Sequence, residues 1–176
     1  MADFALGTER LILRAWREED HAPLLAMCRD PAVMEHLGPP LDAQAAIDRQ
    51  NAWQAKHGHC FWAIERRADG AMLGFCGLKP GPEKTPIENR VEIGWRLRAD
   101  AWGQGYAREA AQASLAWGFA NLDEDRIWAI TVPANSRSWG LMERLGMTRH
   151  EDLDFDHPAL PADSPLLRHI TYSIAR

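Results

Sequence analysis

Two glycines one residue apart, Gly103 and Gly105, open the stretch WGQGYAREAAQASLAW (residues 102–117), and an alanine-rich run follows them at once. A strand that enters a helix through such a stretch brings several successive backbone N–H groups to the helix N-terminus. The aligned peptide dipoles place roughly half a positive charge there. Missing side chains let an anion approach closely, and a phosphate or pyrophosphate is the natural guest. A tight turn with close helix–sheet packing uses the same glycines, so spacing alone leaves both readings open. Three nucleotide motifs are excluded. Gly105 is followed three residues later by Arg108 where a dinucleotide fingerprint has glycine. No Gly-Lys dipeptide occurs, as a Walker loop requires, and the companion motifs of a kinase glycine loop are missing.

The remaining chemistry-bearing residues are scattered. His57 and His59 flank Gly58 without an evident third ligand, and read as helix-terminal histidines facing solvent or the dipole. In DLDFDH, Asp152, Asp154 and Asp156 are expected on one strand face. A calcium loop is excluded, because the sixth position is His157 rather than glycine and no glutamate closes the loop. That face is either a solvated surface or an acidic strip that draws in a cationic amine. Cys28, Cys60 and Cys76 are odd in number and lack a CxxC spacing, which argues against a disulfide framework or zinc knuckle and for a reducing compartment. Cys60 and Cys76 fall on expected central strands without a histidine partner, so no cysteine nucleophile is expected. No metal is expected.

The elements that must position these residues follow from periodicity. TERLILRAW reads as a first strand, REEDHAPLLAMCRD as a helix, and AQAAIDRQNAWQAKHG as a second helix capped by Asp42 and ended by Gly58. HCFWAIERR and AMLGFCGLKP form a hairpin through Asp69-Gly70. RVEIGWRLRAD alternates strictly, with Val91, Ile93, Trp95 and Leu97 on one face and Glu92, Gly94, Arg96 and Arg98 on the other. The glycine stretch and its helix come next, then the strand EDRIWAITVP and the helix NSRSWGLMERLG, which Gly146 and Met147 close in a Schellman arrangement. MTRHEDLDFD and LLRHITYSIA read as two final strands. The order predicts a mixed sheet with helices on its faces, of the α+β or α/β class, as one domain over residues 1–176.

Composition narrows the partners. The chain carries 46% apolar and 26% charged residues, the balance of a globular protein. A net charge of −5 argues against nucleic acid and anionic membranes. The N-terminal stretch MADFALGTERLILRAWREED has no apolar signal region, and no run approaches the roughly 18 apolar residues of a membrane span, so a cytoplasmic protein is expected. Trp16, Trp53 and Trp62 serve equally as core or as walls of a pocket.

Taken together, VEIGWRLRADAWGQGYAREAAQASLAWGF and VPANSRSWGLMERLGM resemble the GCN5-related N-acetyltransferases (GNAT), in particular the branch of the ribosomal-protein alanine N-acetyltransferases of RimJ/RimL type. The resemblance extends from TERLILRAW to the last strand. It implies a seven-stranded mixed, mostly antiparallel sheet splayed between its fourth and fifth strands and flanked by about four helices. Acetyl-CoA is expected in the opening, its pyrophosphate on the amides of Gly103, Gln104, Gly105, Tyr106, Ala107 and Arg108. Its pantetheine arm is expected to pair with the main chain of Trp95, Arg96 and Leu97, as a strand adds to an exposed edge. Trp102 stands where most members have Arg or Gln.

The resemblance also implies chemistry: an N-acetyltransferase in which an amine attacks the thioester directly. Glu92 is the expected base, acting through water. Ser138 is the expected donor to the departing thiolate, because Met142 occupies the place of the tyrosine that many relatives use. Asn135 combines a helix cap with a coenzyme contact, and a backbone N–H near Leu97 meets the carbonyl oxygen. The acceptor is expected to be a protein N-terminus or a small amine, the protein a monomer or homodimer. A non-catalytic acyl-CoA-binding module is the alternative.

Overall fold

The computed structural model describes residues 4–38 and 42–176. Its elements are β1 (Ala5–Gly7), β2 (Leu11–Arg14), α1 (His21–Arg29), α2 (Pro31–Met34), α3 (Ala43–His57), β3 (Phe61–Arg66), β4 (Met72–Pro80), β5 (Val91–Leu97), α4 (Tyr106–Asn121), β6 (Arg126–Thr131), α5 (Ser136–Arg144), β7 (Thr148–Arg149), β8 (Phe155–Asp156) and β9 (Arg168–Ala175). Single 3₁₀ turns lie at Glu18–Asp20, Ala99–Ala101 and Glu151–Leu153.

The strands form a nine-stranded sheet in the order β1-β2-β3-β4-β5-β6-β9-β7, with β8 added on β9. All pairings are antiparallel except β5 with β6, which share one parallel pair, Glu92 with Trp128. Beyond Glu92 the two strands part, which is the splay expected from the resemblance. The sheet has two strands more than expected. One is the short β1. The other arises because MTRHEDLDFD does not run as one strand: Arg149 holds Asp154 at 2.6 Å and Thr171 Oγ1 donates to Leu153 O at 2.8 Å, folding Glu151–Leu153 into a turn between β7 and β8. Asp152, Asp154 and Asp156 therefore do not share a strand face.

Local signals place the helices. Asp42 Oδ1 accepts from Ala45 N at 3.1 Å and Gly58 N–H closes α3 on Gln54 O. Asp30 caps α2 through Ala32 N at 2.9 Å, with Pro31 in the first turn, where its missing N–H costs nothing. At the end of α5, Met147 N donates to Met142 O and Gly146 N to Glu143 O, the two bonds of a Schellman motif.

The sheet is covered on two faces. The α4 face carries Cys76, Leu78, Ile93 and Ile127; a Cβ at Gly118 would meet Leu78 Cδ1 at 2.5 Å, so α4 lies close on the sheet. The other face carries Phe61 and Phe75, stacked at 5.7 Å between centroids, beneath α1 and α2. Trp62 and Trp16 belong to the core, at 0% and 7% exposure. Arg14 ties β2 to the turn before α1: its guanidinium donates to both Asp20 oxygens at 2.7 and 2.8 Å and to Glu65 at 2.6 Å. Those bonds outweigh burial and raise its pKa further.

Candidate active site

The loop between β5 and α4 is fastened through its side chains and carbonyls. Trp102 Nε1 donates to Leu97 O at 2.9 Å, Gln104 Nε2 to Asp100 O at 2.8 Å, and Arg10 Nη1 to Gln104 O at 2.9 Å. Arg10 is held in turn by Glu109 at 2.7 Å and lies over the Tyr106 ring, 4.6 Å from its centroid. Burial opposes the charge of Glu109, but hydrogen bonds from Thr8 and from the Arg10 backbone and side chain win and hold the carboxyl below its usual range.

The Gln104 carbonyl is thus held by Arg10, while the N–H groups of the loop are left over. Among the described residues, nothing accepts from the main-chain N–H of residues 103–108. Gly103 and Gly105 adopt φ of 72° and 82°, a left-handed conformation that glycine takes freely and other residues take at a cost. A Cβ at Gly103 would touch nothing within 4 Å, and one at Gly105 would meet only Arg10 Nη2 at 3.3 Å. The conformation, rather than crowding, sets the requirement for glycine here.

These amides open on a cleft of about 710 Å³ that runs along β5 to α2 and is walled on the far side by α5. Arg98 N donates to Leu73 O, and Arg90 O accepts from Gly81 N. Main-chain groups alternate along an antiparallel strand, so the even-numbered residues of β5 address β4. Trp95 and Leu97 then direct their main-chain groups toward the gap, whereas Arg96, expected beside them along the pantetheine arm, turns its main-chain groups to β4. The Leu97 carbonyl is taken by Trp102; its N–H and both groups of Trp95 are left over.

On α5, Asn135 Oδ1 accepts from Ser138 N at 3.3 Å, the cap foreseen. The Ser138 hydroxyl has no partner among the described residues and lines the cleft. Met142 is buried, at 2% exposure. Arg137, Leu141 and Arg144 also line the cleft, and the Arg137 guanidinium lies 4.4 Å from the Trp102 ring centroid. Reading the sequence overlooked these two arginines, although their i, i+7 spacing with Leu141 between them marks one face of a helix. With Arg108 they make the cleft locally basic in a chain of net charge −5.

Each foreseen coenzyme residue lines this cleft except Gln104, whose side chain braces the loop. Glu92 stands apart. It is buried on β5, paired with Lys79, and absent from the cleft wall. Lys79 Nζ sits between aromatic rings, 5.2 Å from the Phe61 centroid and 5.5 Å from that of Trp53. A second cavity of about 220 Å³ shares His36 and Leu37 with the cleft and is lined on its far side by His157 and His169. Burial lowers the pKa of His157, while the Glu92 charge raises it and the Lys79 charge lowers it.

Other candidates settle into structural places. His59 does not face solvent: it is buried with Nδ1 2.8 Å from Leu78 O, and burial lowers its pKa. Burial pushes the Cys60 and Cys76 thiols up to about 12, which leaves neither a nucleophile at neutral pH. Among the described residues no cluster of His, Cys, Asp or Glu could hold a metal ion, and no helix is long and apolar enough to cross a membrane.

An open mixed sheet, parted beside the N-terminus of a helix, is the architecture of an acetyltransferase. The family model of the acetyltransferase (GNAT) domain matches residues 10–148, and the chain belongs to that family. Its members use acetyl-CoA as acetyl donor. The chain is 31% identical over 150 residues to the N-acetyltransferase p20 of Bacillus licheniformis, covering 82% of each. Its fold is similar to the acetyltransferase of Agrobacterium tumefaciens str. C58, with a TM-score of 0.79, 27% identity, and 100% and 96% of the two chains covered. The ribosomal-protein-S5-alanine acetyltransferase of Vibrio fischeri shares the fold, with a TM-score of 0.71 at 17% identity over 98% and 97% of the chains.

Proposed function

We propose that residues 1–176 form one acetyltransferase domain that moves an acetyl group from acetyl-CoA to a primary amine by direct attack in a ternary complex. The observation that carries this reading is the row of unpartnered amides at residues 103–108, facing a cleft that is basic and borders the parted strands. Such a row, at a helix N-terminus, suits a diphosphate. The main chain of Tyr106, Ala107 and Arg108 continues the row that Gly103, Gln104 and Gly105 begin. Arg108, Arg137 and Arg144 add cationic side chains, and Trp102 braces the loop in place of a polar contact. The free main-chain groups of Trp95 and Leu97 suit an amide-bearing arm lying beside β5, as an added strand.

Acetyl-CoA supplies the thioester whose carbonyl carbon the amine attacks. The Leu97 N–H, turned into the gap, donates to that carbonyl oxygen. Ser138, with a free hydroxyl on the first turn of α5, passes a proton to the departing sulfur and takes one back from solvent in the open cleft. Glu92 takes the proton from the amine through water. One of its oxygens is engaged by Lys79, and the carboxylate has further lone pairs available. An α-amino group, of reference pKa about 8, asks less of this base than a lysine of about 10.4. The acceptor is a protein N-terminus or a small amine, and the reaction uses neither metal, nucleic acid nor membrane.

A second reading, a non-catalytic acyl-CoA-binding module, is favoured by the buried Met142 where many relatives have tyrosine. Incubation with acetyl-CoA and a panel of amines, following free thiol, separates the two. Thiol release dependent on an amine supports the enzyme. Calorimetric binding of acetyl-CoA without turnover on any amine assigns the module instead.

A further inference from the structure

We propose that Arg96 selects the acceptor: its guanidinium receives a carboxylate carried by the amine substrate, a few bonds from the reacting nitrogen, as in an amino acid. The proposal rests on the acetyltransferase reading above and narrows its substrate class.

Arg96 lines the cleft and has no anionic partner among the described residues. Its Nη1 lies 3.6 Å from Cys28 Sγ and 3.8 Å from Met34 Sδ, both weak acceptors. Its Nε is sealed from solvent and makes no hydrogen bond among the described residues. Arg14, the buried guanidinium on β2, is treated differently from the half-buried Arg96, being held by both Asp20 and Glu65. A structural arginine here is paired; Arg96 is left waiting. Removing a cation from water without a counter-charge costs stability, and burial duly pushes this guanidinium below its ordinary pKa. A ligand that brings a carboxylate recovers that cost, and the planar fork of Arg binds one through two parallel bonds.

Position decides whose anion it is. Arg96 pairs with Phe75 across β4 and lies over that ring, 5.4 Å from its centroid, on the face covered by α1 and α2. The free amides belong to α4, on the opposite face, so the coenzyme's diphosphate is met elsewhere. Between the faces lie Trp95 and Leu97, at the gap where the reaction is placed. A carboxylate on Arg96 therefore enters from the acceptor side, next to Val33 and His36.

The test offers alanine, methionine and phenylalanine, each as free acid and as primary carboxamide, to the wild type, Arg96→Met and Arg96→Lys with acetyl-CoA. The wild type is expected to favour the acids about 10- to 100-fold in kcat/KM, the size of a charge-assisted hydrogen-bonded pair. Arg96→Met should erase the preference by raising KM for the acids, and Arg96→Lys should restore part of it. Coenzyme A affinity, measured by calorimetry, should hold in both variants. Equal use of acids and amides by the wild type, a preference that survives Arg96→Met, or a loss of coenzyme affinity in Arg96→Met overturns the proposal. Should no amine turn over, the acetyl-transfer reading fails first, and melting temperature reads the site alone. Stabilisation by the free acids but not the amides, absent from Arg96→Met, supports a carboxylate site; no such difference overturns it.

Discussion

Glu92 and Trp128 form the single parallel pair between β5 and β6, and the sheet opens immediately beyond them. On either side of the gap, β5 stays paired with β4 to Leu97 and β6 stays paired with β9 along its whole length. Main-chain groups of β5 past Glu92 lose one neighbour and gain a cleft. The buried Glu92 carboxylate sits at this point of divergence, paired with Lys79 and outside the cleft wall.

The two glycines should respond differently to substitution. Gly105→Val imposes a β-branched side chain on a φ of 82° and presses on Arg10, so stability should fall by about 1–3 kcal/mol and coenzyme A affinity at least about tenfold. Gly103→Ala meets no neighbouring atom and should cost only about 1 kcal/mol of conformational strain. Urea unfolding with calorimetry measures both; equal losses at the two sites would show that the left-handed backbone they share, and not the contact with Arg10, sets the cost.

Ser138→Ala tests the proton donor. Thiols leave well, so kcat should fall about 10- to 100-fold, at the low end of general acid effects, with KM for acetyl-CoA unchanged. Steady-state kinetics decide it. An unaltered kcat would leave water as the donor and Ser138 as a wall residue.

Glu92 has a structural partner, which complicates its replacement. Glu92→Gln leaves Lys79 charged and buried between Phe61 and Trp53, and should destabilise the fold by about 3–5 kcal/mol. The double variant with Lys79→Met should regain most of that stability, measured by denaturant unfolding. If Glu92 is the base, activity should stay low in the double variant. Recovery of activity together with stability would reduce Glu92 to a structural role.

Stability should depend on pH through His59. Its folded pKa is lowered, by burial first, so the unfolded chain binds the proton more readily. The contribution is fully present above the unfolded value of about 6.5 and is lost as pH falls through the lower folded value. His157 and His169, also lowered by burial, act in the same direction. His59→Gln should flatten the loss of stability below about pH 6.5 relative to wild type. An unchanged slope in denaturant titrations across that range would remove His59 as a contributor.

The local signals were legible in the sequence because they act over a few residues. Asp42, Gly58, Gly146 and the Gly103–Gly105 pair each fix a cap or turn through their own backbone or side chain. The Asp30-Pro31 pair carries an equally local signal for α2, although periodicity alone runs a single helix through REEDHAPLLAMCRD. The broken strand after Met147 was not legible, since beside the local Arg149–Asp154 pair it depends on Thr171 of β9 donating to Leu153 O, 18 residues away. Nor were the states of Glu92 and Arg96. They alternate on one strand face, yet one meets Lys79 from β4 and the other only sulfur and a ring. Tertiary packing alone distinguishes them.

The most direct test of the central claim is a titration of coenzyme A into the ¹⁵N-labelled protein, following each backbone amide. The largest shifts should fall on residues 103–108, with smaller ones at Trp95 and Leu97. Saturable binding whose shifts leave residues 103–108 unmoved, or no binding at all, would contradict the account.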